Sequence, residues 1–149
     1  MEVFRIARAD HALKMETSGF AGRWNKSGQK VLYAASSRSL ATLEMIVHRN
    51  LIASRFPYKT MVISVADENR LIRQVMSSDL PENWRLMKAY SKLQEVGSDW
   101  YMRKEFLLLQ VPSAVIPPEY NYIINTEHPE YVQCVKLVKT EDYFWDERL

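Results

Sequence analysis

At 149 residues, with 47% hydrophobic content, 4 glycines and 6 prolines, the chain has the composition of one compact domain, not of a linker or disordered tail. A chain of this size buries roughly 68–70% of the surface that its unfolded form exposes. With 20 basic and 18 acidic residues the formal charge is +2, too weak and too scattered to imply direct nucleic-acid binding.

The start, MEVFRIARAD, is charged and too short in apolar length for a signal peptide. No stretch approaches the ~20 apolar residues that a membrane helix needs. Residues 3–6 read as a first strand, with Phe4 and Ile6 on one face and Arg5 on the other. Residues 19–28 form a polar, glycine-punctuated loop. Residues 31–35, VLYAA, make a short apolar strand, and Ser36, Ser37 and Ser39 offer caps for a helix running to about Arg49. The helical period sets Leu40, Leu43, Val47 and Leu51 on one stripe toward the core. Residues 61–65, MVISV, are a further strand.

Leu80-Pro81 breaks the pattern before a helix over about 84–94. Gly97 ends that helix, and Ser98 or Asp99 caps another short one to Arg103. Residues 106–111 make a strand stopped by Pro112, His128-Pro129 a turn, and residues 122–124 and 132–138 the closing strands. The lone Cys134 rules out an intramolecular disulfide and points to a reducing, cytoplasmic compartment. Strands outnumber long helices and do not alternate with them one-to-one. That predicts an α+β fold, a mixed or antiparallel sheet core flanked by helices, in a single domain over 1–149.

The chemistry-bearing groups concentrate in residues 22–47. Arg23 sits in GRWNKSG, where a rigid fork of donors suits phosphate oxygens and flanking glycines permit close approach. Taken alone, a loop arginine is usually just a surface group, and Trp24 beside it reads as an anchor before a stacking platform. Tyr33, in mid-strand, faces a ligand or simply packs. Glu44 lies about 40° from Leu40 on the helical wheel, at the flank of the apolar stripe, with His48 one turn further along that edge. A carboxylate there is partly desolvated, which raises its pKa unless a cation or donor offsets it. Pairing with a neighbouring Arg or Lys is the structural alternative. Ser113, held behind Pro112, donates a hydrogen bond at a strand end or serves a turn. No Walker motif or GxSxG elbow occurs, and His11, His48, His128 and Cys134 offer no pair at ligand spacing, so no metal site is expected.

In order and spacing, GRWNKSG, VLYAA, LATLEMIVH and VPSAVIPPEYNYIIN with HPEY resemble the RES domain family, named for its arginine, glutamate and serine. The likeness runs from FRIAR at Phe4 to the final FWDERL, with Phe20-Ala21 where a more glycine-rich run is common. The resemblance implies an ADP-ribosyltransferase-like fold and the toxin of a type II toxin–antitoxin pair, with NAD consumed as substrate and no cofactor. It places Arg23, Tyr33 and Glu44 in catalytic roles, and Arg5, Arg23, Tyr33 and Ser113 on NAD. It also implies a helix-turn-helix (Xre-type) antitoxin that blocks the site, and leaves room for a homodimer within that complex.

Departure of nicotinamide from the ribose builds an oxocarbenium-like cation. On this reading Arg23, with Arg5, holds phosphate, and Tyr33 stacks on the nicotinamide or ribose. Glu44 stabilises the cation and orients the ribose hydroxyls or an attacking water. Cleavage of NAD at the nicotinamide–ribose bond, by hydrolysis or phosphorolysis, is the expected reaction. Mono-ADP-ribosylation of a protein and a catalytically silent antitoxin-binding module are the alternatives.

Overall fold

The structure, a computed structural model, describes residues 1–48 and 56–148. Its elements in chain order are β1 (Glu2–Arg8), β2 (Val31–Ala35), α1 (Arg38–Val47), β3 (Tyr58–Val65), β4 (Ile72–Gln74), α2 (Tyr90–Arg103), β5 (Leu108–Pro112), β6 (Tyr120–Asn125), α3 (Tyr131–Cys134) and β7 (Val135–Asp142). The strands form one sheet in the order β4-β5-β6-β2-β1-β3-β7, antiparallel except for the β4–β5 pair. This is the α+β fold with a mixed sheet that the strand count predicts. No helix among the described residues is long and apolar enough to cross a membrane.

The sheet parts in its middle. β1 runs in register with β3 from Glu2 to Arg8, and β2 with β6 from Val31 to Ala35. Between them β1 and β2 pair only at Phe4 and Ala35. A backbone carbonyl stranded by such a gap needs another donor. Arg5 supplies it, its Nη1 donating to the Tyr33 carbonyl at 3.0 Å. At the join, Phe4, Ala35, Asn121 and Val111 form one row of register partners across four strands.

α1 packs over that row, with Leu40 and Ala41 against Phe4, Ala35 and Val62. Its N-cap is Ser37, whose Oγ accepts from the Leu40 N–H at 3.1 Å. The expected stripe is corrected here: Leu40 is buried, but Leu43 is 38% and Val47 60% exposed. The inward edge is instead Leu40, Ala41, Glu44 and Met45, because the helix lies partly over the cleft between the parted strands, not wholly over core. Arg49 and Leu51 lie outside the described residues.

The other half of this face is covered by α2 and the loop before β2, where Trp24, Trp84, Leu93 and Trp100 meet Leu109 and Ile123. The helix expected over 84–94 begins only at Tyr90; the residues before it are turns and a 3-10 segment, Met87–Ala89. That irregular stretch leaves the Trp84 and Arg85 carbonyls to accept from Arg23, and the Arg85 Nε to donate to the Ala114 carbonyl.

Gly97 does not end a helix; α2 continues through it to Arg103. A Cβ at Gly97 would sit 1.6 Å from the Trp24 carbonyl oxygen, so the glycine is there for close approach. Ser98 and Asp99 are accordingly not caps: Ser98 Oγ accepts from Gln29, and Asp99 pairs with Arg73 and Arg103. Gly97→Ala is expected to push the Trp24 loop off the helix and cost about 3 kcal/mol, read as a lower urea midpoint at unchanged m.

At the C-terminal end, residues 132–134 of the expected strand belong to the short helix α3, and β7 starts at Val135. β4 has only three residues, too few to show alternation in the sequence.

Candidate active site

The parting of β1 and β2 opens a cleft of about 280 Å³, walled by Arg5, Ile6, Tyr33, Glu44, His48 and Asn121 among others. A recess of about 40 Å³ joins Glu44, His48 and Asn121 to Arg23 and Trp24. A third depression, about 320 Å³, lies between Arg23, Tyr33, His48 and Tyr90. Tyr33 and His48 border all three, which makes them one trough with Glu44 near its middle. The structure thus brings together Arg5, Arg23, Tyr33 and Glu44, which lie on three elements and a loop.

Glu44 is held at one oxygen. Its Oε1 accepts from Ser113 Oγ at 2.6 Å and from Asn121 Nδ2 at 2.6 Å. Its Oε2 lies 3.5 Å from His48 Nε2, one helical turn away. The Glu44 side chain is 18% exposed, against 56% for His48. Burial alone pushes the carboxyl up, but hydrogen bonds from His48, Ser113 and Asn121 outweigh it and hold Glu44 below the usual carboxylate range. An ionised, oriented carboxylate at the edge of a cleft can stabilise developing positive charge or activate a hydroxyl.

Ser113 is fully buried behind Glu44. Its Oγ donates to Glu44 and also accepts from the N–H groups of Val115 and Ile116, at 3.1 and 3.0 Å. The hydroxyl serves the turn and the carboxylate at once, and it reaches the cleft through Glu44. Ser113→Ala would leave two part-buried N–H groups and one carboxylate oxygen short of a partner. The expected loss is about 1–3 kcal/mol in denaturant unfolding, together with a higher Glu44 pKa.

Tyr33 is committed through its hydroxyl. It donates to Asn25 Oδ1 at 2.6 Å and accepts from the Trp24 N–H at 3.0 Å; burial is the main cause of a pKa well above the ordinary phenol range. Asn25, itself 1% exposed, returns its amide to the Phe20 and Lys26 carbonyls. A Cβ at Gly22 would meet the Tyr33 hydroxyl at 2.7 Å, so the loop can lie this close only with glycine there. Trp24, 2% exposed, is an anchor and not a stacking platform, and Gln94 of α2 ties the Gly22 carbonyl at 2.8 Å.

This tethering fixes where Arg23 stands. Its Nη1 donates to the Trp84 and Arg85 carbonyls, both at 3.1 Å, and its guanidinium lies 4.7 Å above the Tyr90 ring. Nε and Nη2 have no protein partner among the described residues and remain available to an anion. Arg5, half-buried, borders the cleft and a neighbouring basin of about 410 Å³; burial pulls its pKa below the usual arginine value.

Two residues escape a reading by sequence. Asn121 and Asn25 are single asparagines in a strand and a loop, with no local signal. The nearest hint for Asn121 is its alternation with Ile123 along PEYNYIIN. Asn121 Oδ1 is buried and has no hydrogen-bond partner among the described residues, an arrangement that costs about 1–3 kcal/mol.

Comparison with known proteins gives a consistent picture. The family model described as RES domain matches residues 2–146. A protein of Yersinia enterocolitica named Toxin Res is 33% identical over 130 residues, covering 87% of this chain and 84% of the relative. A Sphingobium protein named Prs ADP-ribosylating toxin is 36% identical over 129 residues, covering 86% of this chain and 80% of the relative. Among solved structures, the M. tuberculosis MbcT-MbcA toxin-antitoxin complex contains a chain of similar fold. Its TM-score is 0.73 at 20% identity, over 95% of this chain and 83% of that one.

Proposed function

The chain belongs to the RES domain family, and from that premise we propose that it is the toxin of a toxin–antitoxin pair that cleaves NAD at the nicotinamide–ribose bond. The observation that carries the reading is Glu44: ionised, fixed at Oε1 by two donors, and set in a trough that Arg5 and Arg23 both border.

The chemistry follows from these atoms. The bond from ribose C1 to the pyridinium nitrogen breaks and its electron pair leaves with nicotinamide, which departs neutral. The ribose is left as an oxocarbenium-like cation. Glu44 Oε2, in a poorly hydrated site, stabilises that charge and is already oriented when it appears. Arg23, with two nitrogens uncommitted, grips a phosphate oxygen pair, and Arg5 adds charge from the far wall. Tyr33 offers its ring while its hydroxyl holds the loop. A water that attacks C1 gives its proton up through the Glu44–His48 pair to solvent, forming ADP-ribose; inorganic phosphate in its place forms the 1-phosphate.

A second reading keeps the same residues and replaces water with a protein side chain, making the chain a mono-ADP-ribosyltransferase. The observation in its favour is the Sphingobium relative named for ADP-ribosylation. NAD labelled in its adenylate half separates the readings when incubated with the chain, with and without phosphate, and with cell lysate. Free ADP-ribose or its 1-phosphate without a labelled protein supports cleavage; a labelled protein band supports transfer. A catalytically silent module is disfavoured because Arg23, Tyr33 and Glu44 are all present and border one recess. An Xre-type helix-turn-helix antitoxin covering the trough is the partner that the proposal requires.

A further inference from the structure

We propose that Asn121 is a positioning residue for Glu44: its amide holds one carboxylate oxygen so that the other alone faces the cleft. This rests on the reading of Glu44 as the group that stabilises the ribosyl cation.

The first support is convergence. Ser113, past the end of β5, and Asn121, on β6, both donate to the same Glu44 Oε1 at 2.6 Å. A carboxylate oxygen has about two lone-pair sites, so Oε1 is filled and the charge available to a ligand is that on Oε2. The second is the unpaired end of the amide. Among the described residues the Asn121 side chain bonds Glu44 alone, and its Oδ1 is buried without a partner. Buried polar atoms are ordinarily paired, and an exception calls for a local reason. The reason here is the carboxylate: turning the amide over would set two acceptors against each other. The donor therefore stays on Glu44 and the acceptor is left bare. The third is rigidity. Asn121 stands in register between Ala35 and Val111, in mid-sheet, so the backbone that carries its side chain is held on both sides. Ser113 differs in having a second duty to the turn at Val115 and Ile116.

The charged and titratable groups that share the trough with Glu44 are His48 on its own helix, Arg5 of β1, Tyr33 of β2, Arg23 of the loop and Tyr90 of α2. Asn121→Ala removes none of these groups and adds no charge beside them. The test is a carbon NMR titration of the Glu44 carboxyl in the full chain, beside NAD turnover, for wild type, Asn121→Ala and Asn121→Asp. Loss of the donor in Asn121→Ala raises the Glu44 midpoint by about one pH unit. Asn121→Asp raises it further, since a second carboxylate then faces the first. In both variants kcat falls about tenfold or more, KM changes less than about threefold, and the acid limb of the rate profile moves up with the midpoint.

Asn121→Asp preserves volume and carries the test if the alanine variant does not fold. A Glu44 midpoint at its wild-type pH in the folded aspartate variant overturns the proposal. So does an unchanged kcat beside a shifted midpoint. If wild type releases no nicotinamide, the NAD reading fails, and the titration alone then decides whether Asn121 governs Glu44.

Discussion

Glu44→Gln is expected to slow nicotinamide release from NAD by about 10²–10³, or roughly 2.7–4 kcal/mol of transition-state stabilisation, while leaving the fold intact. Glutamine keeps the shape, and its carbonyl oxygen can still accept from Ser113 and Asn121 in place of Oε1. What it removes is the negative charge opposite the forming cation. A loss confined to kcat, with KM near wild type, is the signature of an interaction made only in the transition state.

Acid should imitate the substitution. The Glu44 pKa in the folded chain lies below the usual carboxylate value. Activity therefore persists through the ordinary carboxylate range and falls only as pH drops through that lowered value. Stability follows the same sign: the contribution of the ionised form is full above the unfolded-state pKa and is lost as pH falls through the folded-state one. A rate profile whose acid limb lies above the ordinary carboxylate range contradicts this assignment.

Arg23→Ala is expected to cost about 10–100-fold in kcat/KM, carried mainly by KM, because a charge-assisted bond to a phosphate is worth about 1.5–3 kcal/mol. Arg23→Lys should recover little of it. An ammonium is a point charge, whereas Arg23 must satisfy two carbonyls with one nitrogen and still present the rest of its fork. Nicotinamide-release kinetics on the two variants measure this, and full rescue by lysine contradicts a forked contact. Arg23 acts on binding and Glu44 on the chemical step, so the two substitutions should separate cleanly in KM and kcat.

The parts of the molecule legible in the sequence are those decided by neighbours in the chain. Ser37 caps α1 because a serine before an apolar helix has few other uses. VLYAA is a strand over its whole length, and Phe4 and Ile6 share a face opposite Arg5. The parts that misled are decided by contacts far away in sequence. Gly97 looks like a helix stop until the Trp24 carbonyl is placed against it. Leu43 and Val47 look like core until α1 is seen to overhang a gap in the sheet.

The same distinction runs through the site. Arg23, Tyr33 and Glu44 lie within a short stretch, and their pattern and resemblance single them out. The hold on Glu44 comes from Ser113 and Asn121, with sequence separations of 69 and 77 residues, and only folding brings them to it. Asn25 is hidden for another reason, since its partner Tyr33 is close in the chain but the loop geometry joining them has no signature.

The most direct measurement is mass spectrometry of NAD incubated with purified wild type and with Glu44→Gln, both verified as folded by circular dichroism. Wild type should yield nicotinamide together with ADP-ribose, or its 1-phosphate when phosphate is present, and the variant should leave NAD intact over the same interval. Intact NAD with folded wild type, or equal product from the two proteins, contradicts the role given to Glu44.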